Sequence, residues 1–71
     1  MNEIIITQEG YDKLQEELEF LSTFRRRDIA DRIEKAKELG DLSENAEYTE
    51  AKDAQALNEG RIAELTGTLK N

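Results

Sequence analysis

LGDLSENAEY, residues 39–48, separates two long stretches whose apolar residues recur at helical spacing. Gly40, Asp41, Ser43 and Asn45 are the residue types that make turns. A glycine just after the last periodic residue is the usual sign that a helix stops. So short a connection folds the second helix back along the first, and this decides the fold. The chain is read as all-α: a long antiparallel helical hairpin, a two-helix coiled coil whose tip is this turn.

Upstream of the turn, Glu3-Ile4-Ile5-Ile6 is a short β-branched run, read as extended. Thr7 is the candidate N-cap, with Gln8 and Glu9 in the first turn. Tyr11, Leu14, Leu18 and Leu21 follow at steps of three and four, and Ile29, Ile33, Ala36 and Leu39 continue the stripe. The eight-residue step from Leu21 to Ile29 is about two turns of 3.6 and not a heptad step. It predicts one helix over about 8–39 with little regular supercoil. At 1.5 Å per residue this arm spans roughly 45–50 Å. After a turn at about 40–43, the second helix is expected from about Ser43 to Leu69. Its inward stripe is Ala51, Ala54, Leu57 or Asn58, Ile62, Leu65 and Leu69.

Composition agrees with long helices. The 71 residues contain no Pro and only four Gly, and charged residues make up 38%. Cys and His are absent, which excludes disulfides, thiol and imidazole chemistry and the usual zinc ligands. Any metal site would use oxygen ligands, which suit Mg²⁺, Mn²⁺ or Ca²⁺. No apolar run approaches the roughly 20 residues of a membrane span, and the expected location is cytoplasmic. A net charge of −7 disfavours unaided binding to nucleic acid.

The turn carries Asp41, Glu44 and Glu47 at steps of three. One reading is structural: Asp41 caps the second helix with Glu44 closing a capping box, or Ser43 is the cap. The other is a metal site. Asp41 and Glu44 direct two carboxylates toward one spot, but Mg²⁺ keeps several waters and shares its ligands with substrate phosphates. Two carboxylates would then be half a site, completed by a partner, as a donated second metal in a two-metal phosphodiester reaction requires.

The run Gly40-Asp41-Leu42-Ser43-Glu44-Asn45-Ala46-Glu47-Tyr48 with Ala51-Lys52 resembles the tip signature of the bacterial Gre transcript cleavage factors, on the GreA side of that family. Thr7, Gly10, Lys13-Leu14, Glu16-Glu17-Leu18, Arg25-Arg26 and Glu59-Gly60-Arg61-Ile62 extend the resemblance over essentially the whole chain, as that family's N-terminal coiled-coil domain. Arg27 and Leu39 stand where the family often has Pro and a polar residue. The resemblance implies an accessory factor rather than an enzyme. Such a hairpin enters the secondary channel of bacterial RNA polymerase and reaches the 3′ end of a backtracked RNA. There Asp41 and Glu44 would be the catalytic pair, sharing a Mg²⁺ with the polymerase, and the polymerase would cleave its own transcript. Gly40, Ser43, Asn45 and Tyr48 would support the tip. Lys37, Lys52, Arg25 and Arg26 would contact RNA or polymerase. No membrane partner or small-molecule substrate is implied. The family's C-terminal FKBP-like domain has no counterpart in these 71 residues. Two rivals stand beside this reading: a channel binder that does not promote cleavage, and a structural helical hairpin.

Overall fold

The computed structural model describes residues 6–41 and 43–70. It is an elongated hairpin, 48 × 24 × 13 Å. The first arm comprises α1 (Gln8–Phe20), a π-helical turn (Leu21–Arg25) and α2 (Arg26–Lys37), and the second is the single helix α3 (Ala46–Lys70). Among the described residues there is no strand, and no helix is long and apolar enough to cross a membrane. Ile6 lies just outside α1, and Ile4 and Ile5 fall outside the described residues.

Thr7 caps α1 as its position predicts. Its Oγ1 accepts the Gly10 N–H at 3.0 Å, and its carbonyl accepts the Tyr11 N–H at 2.9 Å. The stripe residues then turn inward. Tyr11, Leu14, Leu18 and Leu21 are half-buried, and Ile29, Ile33 and Ala36 are buried. Ile29 and Ile33 pack with Ala51 of α3, and Tyr48 and Ala54 close the sides of that cluster. Leu65 is the other fully buried large side chain, nearer the open end.

The first arm is not one uninterrupted helix over 8–39. In a regular helix Leu21 and Ile29 would face directions about 80° apart, because eight steps of about 100° overshoot two full turns. The π turn takes up the extra residue: the Arg26 N–H reaches back five residues to the Leu21 carbonyl. Both side chains then face α3. The local sequence supports the distortion. Ser22 Oγ donates to the Leu18 carbonyl at 2.8 Å and Thr23 Oγ1 to the Glu19 carbonyl at 2.6 Å, the back-bonding that bends helices.

Three further expectations change. α2 ends at Lys37, and residues 38–40 form a tighter turn with i→i−3 bonds, of which Leu39 N–H to the Ala36 carbonyl is 3.1 Å. Leu39 is swung off the stripe and is 63% exposed. α3 begins at Ala46 rather than about Ser43. Between Leu57 and Asn58 it is Asn58 that points inward, while Leu57 is 77% exposed.

Candidate functional site

The tip is assembled from the end of α2, the turn and the first residues of α3. Gly40 has a φ of 118°, a conformation that side-chain-bearing residues rarely adopt, and it lets the chain leave α2 sharply. Asp41 then organises the turn. Its Oδ1 accepts both the Ser43 N–H at 3.0 Å and the Ser43 hydroxyl at 2.8 Å, and its carbonyl accepts the Glu44 N–H at 3.3 Å. The Ser43 hydroxyl, and then the Ser43 N–H, hold the Asp41 carboxyl below its ordinary value. Asp41 is therefore an exposed anion with one oxygen fixed in direction.

Neither Asp41 nor Ser43 caps α3. Asn45 does: its Oδ1 accepts the Tyr48 N–H at 3.1 Å, and its carbonyl accepts the Thr49 N–H at 3.1 Å. The other end of the same amide donates to the Ala36 carbonyl on α2. Asn45 thus starts one arm and ties it to the other. Counting from this cap, Glu44 precedes the helix and Tyr48 occupies the third position, so no capping box forms.

The acidic groups collect on one side of the tip. Asp41, Glu44 and Glu47 line an open depression with Leu39, Asn45 and Ala46. Among the described residues, Asp41 Oδ2 and the Glu44 carboxylate have no protein partner, and no set of three acidic side chains forms a cage for a metal ion. The donors are exposed carboxylate oxygens on an open surface, which suit a hard, partly hydrated cation such as Mg²⁺ and leave most of its coordination to other groups. They fit the expected shared site as contributors.

The remaining residues fall into two groups. Tyr48 is half-buried against the Ile29–Ile33–Ala51 cluster, so its ring serves packing. Lys37 is the exposed last residue of α2. Lys52 is exposed nearly two turns into α3 and donates to Gln55 Oε1 at 3.0 Å. Arg25 is exposed on the π turn. Arg26 is engaged within the hairpin: its Nε and Nη2 bind both oxygens of Glu59 at 2.9 and 2.8 Å. A second bidentate pair, Arg61 with Glu17 at 2.8 and 2.9 Å, lies further toward the open end, and Arg61 also reaches Glu64. Sequence reasoning found neither pair, nor the bond from Asn58 Nδ2 to the Leu21 carbonyl at 3.0 Å. The signal available was the odd eight-residue step and a polar residue at a stripe position.

The comparisons with known proteins fall on this same tip-and-arm layout. The family profile described as the N-terminal part of the GreA/GreB transcription elongation factors matches residues 4–71. The chain is 56% identical over 68 residues to the transcription elongation factor GreA of Thermoanaerobacter pseudethanolicus, covering 96% of this chain and 43% of that protein. It is 54% identical over 69 residues to GreA of Acetivibrio thermocellus, covering 97% and 43%. With GreA of Clostridium botulinum it shares 55% over 67 residues, covering 94% and 42%. The chain spans about two fifths of the length of these curated relatives. No solved structure matches it. An acidic-tipped hairpin matched along nearly its whole length by that profile is a member of the GreA/GreB family of transcription elongation factors, corresponding to its N-terminal domain.

Proposed function

We propose that the hairpin enters the secondary channel of bacterial RNA polymerase tip first and stimulates the polymerase's own cleavage of backtracked RNA. It is an accessory factor in this reading, and the bond-breaking groups are shared with its partner. The observation that carries the reading is the state of the two acids. Asp41 is aimed by Ser43 and Glu44 has no partner, at the far end of a 48 Å rod. Holding the turn uses one oxygen of Asp41, which leaves its second oxygen and the Glu44 carboxylate open to another ligand.

Asp41 and Glu44 would contribute oxygens to a Mg²⁺ held jointly with the polymerase. When bound, that ion would lower the pKa of an attacking water and neutralise charge developing on the phosphate. The chain's own residues have simpler tasks. Asp41 Oδ1 stays on Ser43 and leaves Oδ2 for the ion. Glu44 supplies the second carboxylate and orients water by accepting its hydrogen bond. Lys37, Lys52 and Arg25 offer exposed charges to RNA phosphates or the channel wall. Arg26 is less available, because Glu59 holds its fork on the hairpin.

The test is a stalled, backtracked bacterial elongation complex carrying RNA labelled at its 3′ end, given Mg²⁺ and saturating chain. Short labelled fragments are expected with the native chain and not with Asp41→Asn, which keeps the shape and removes the charge. Binding without fragment release, for this chain and for a full-length GreA relative alike, would replace this reading with a non-cleaving channel binder.

A further inference from the structure

Three residues within one turn of α3, Asn58, Glu59 and Arg61, hold the π turn from outside it. Asn58, only 7% exposed, donates to the Leu21 carbonyl, the same oxygen that accepts the five-residue bond from Arg26. Glu59 grips Arg26, immediately after the π turn, and Arg61 grips Glu17, before it. The contacts fall before, within and after the one place where the first arm carries an extra residue. α3 itself has no such irregularity across Ala46–Lys70.

The extra residue has to be accommodated somewhere. If the π turn relaxed to regular helix, α2 would advance by one residue, about 1.5 Å along the axis and about 100° around it. Ile29 would leave its contact with Ala51. The displaced residue would pass into the turn at 38–45, and the Ala36 carbonyl would leave Asn45. Asp41 would then move relative to Glu44. A change at Asn58 would thus be felt at the tip, 13 residues or about 20 Å away along α3.

We propose that Asn58 is a positioning residue: by holding the Leu21 carbonyl it keeps the extra residue in the π turn and out of the tip, and so sets the spacing of Asp41 and Glu44. The consequence for cleavage rests on the function proposed above, while the consequence for the tip does not. Leu in place of Asn58 preserves bulk and removes the donor. Deleting Thr23 as well removes the extra residue, so that the arm can run as regular helix with its stripe aligned.

The deciding experiment is amide NMR on the chain. In Asn58→Leu the Ser43, Glu44 and Tyr48 resonances, which report the three turn and cap bonds, are expected to move from their native positions. In Asn58→Leu with Thr23 deleted they are expected to return. In the cleavage assay the first variant should lose roughly 10- to 100-fold of stimulation, the size expected for misplacing reacting groups by about 1 Å, and the second should regain it. A role confined to stability would leave the tip resonances of the folded protein unmoved. Unmoved tip resonances in Asn58→Leu, or no return on deleting Thr23, overturn the proposal. Should Asn58→Leu lose its helical signal, Asn58→Ala carries the same comparison without added bulk; collapse of both that the deletion does not repair also overturns it. Resonances that move and return while neither the native chain nor a full-length GreA relative releases RNA would leave the lock standing and remove the function proposed for the tip.

Discussion

Replacing Asn45 by Ala should be the most damaging change at the tip, though Asn45 carries no charge. Two bonds are lost together. The first is the N-cap of α3, the Tyr48 N–H to Asn45 Oδ1 at 3.1 Å; losing an Asn cap costs typically about 1 kcal/mol. The second is the donation from Nδ2 to the Ala36 carbonyl across the arms. Its net value is about 1 kcal/mol, since that carbonyl also accepts the Leu39 N–H and is not left bare. The sum is about 2 kcal/mol, a fall in Tm of roughly 8–16 °C for a domain of this size. Asn45→Asp separates the parts: it keeps the capping oxygen, gains from the positive helix end, and loses the donor to Ala36. It should therefore lie between native and Ala. The assay is thermal unfolding followed by circular dichroism at pH 7. Equal Tm values for native and Asn45→Ala, or for the Asp and Ala variants, would refute the assignment of a double role.

Asp41→Ala and Glu44→Ala should abolish stimulated cleavage while leaving helix content and polymerase binding close to native; loss of the helical signal in Glu44→Ala would instead make that residue part of the scaffold. Gly40→Ala should destabilise by about 1–2 kcal/mol although an added Cβ meets no atom within 4 Å, because a φ of 118° strains any side-chain-bearing residue; a Tm equal to native would contradict this. Acid should weaken the arms. Arg61 and Arg26 hold the Glu17 and Glu59 carboxyls below their ordinary value of 4.5, so the pairs contribute in full above about that pH and fade as pH falls through the lowered values. Tm should be nearly level from pH 7 to about 4.5 and fall below it, and fall less steeply when Glu17 and Glu59 are both replaced by Gln; parallel curves for the two proteins would count against the pairs.

Much of the hairpin was legible because its signals are local. Thr7 is a cap by residue type, Gly40 a stop by its backbone freedom, and the steps of three and four from Tyr11 to Leu21 need no partner to be recognised. What escaped was decided across the arms. Periodicity registers the step from Leu21 to Ile29 as eight residues, but a regular helix with drift and a π turn without it give the same count. Only α3, which must meet both side chains, distinguishes them. The start of α3 is similar. Asp41, Ser43 and Asn45 are all good caps by type. Asn45 prevails because it alone has an amide whose other end can reach Ala36, and Asp41 and Ser43 are already engaged with each other. Leu57 and Asn58 differ by one position, and hydrophobicity favours the wrong one; the Leu21 carbonyl selects Asn58.

Several of the charges at the tip follow from the two helix ends that meet there. The last turn of α2 has its carbonyls and the negative end of its dipole, and Lys35 and Lys37 sit in that turn. The first turn of α3 has its N–H groups and the positive end, and Glu47 sits there. These three charges are what any two helices joined at this point would favour. The turn itself is held by Gly40, Asn45 and the bonds between Ser43 and one oxygen of Asp41, none of which depends on a charge. Asp41 needs only one oxygen for Ser43, a task that a neutral Asn could also perform, and Glu44 makes no side-chain bond among the described residues. The negative charge of Asp41 and Glu44, like that of Glu38 at the end of α2, is required by neither helix end nor the turn, but Asp41 and Glu44 line the open depression of the tip, where a cation brought by a partner could reach them.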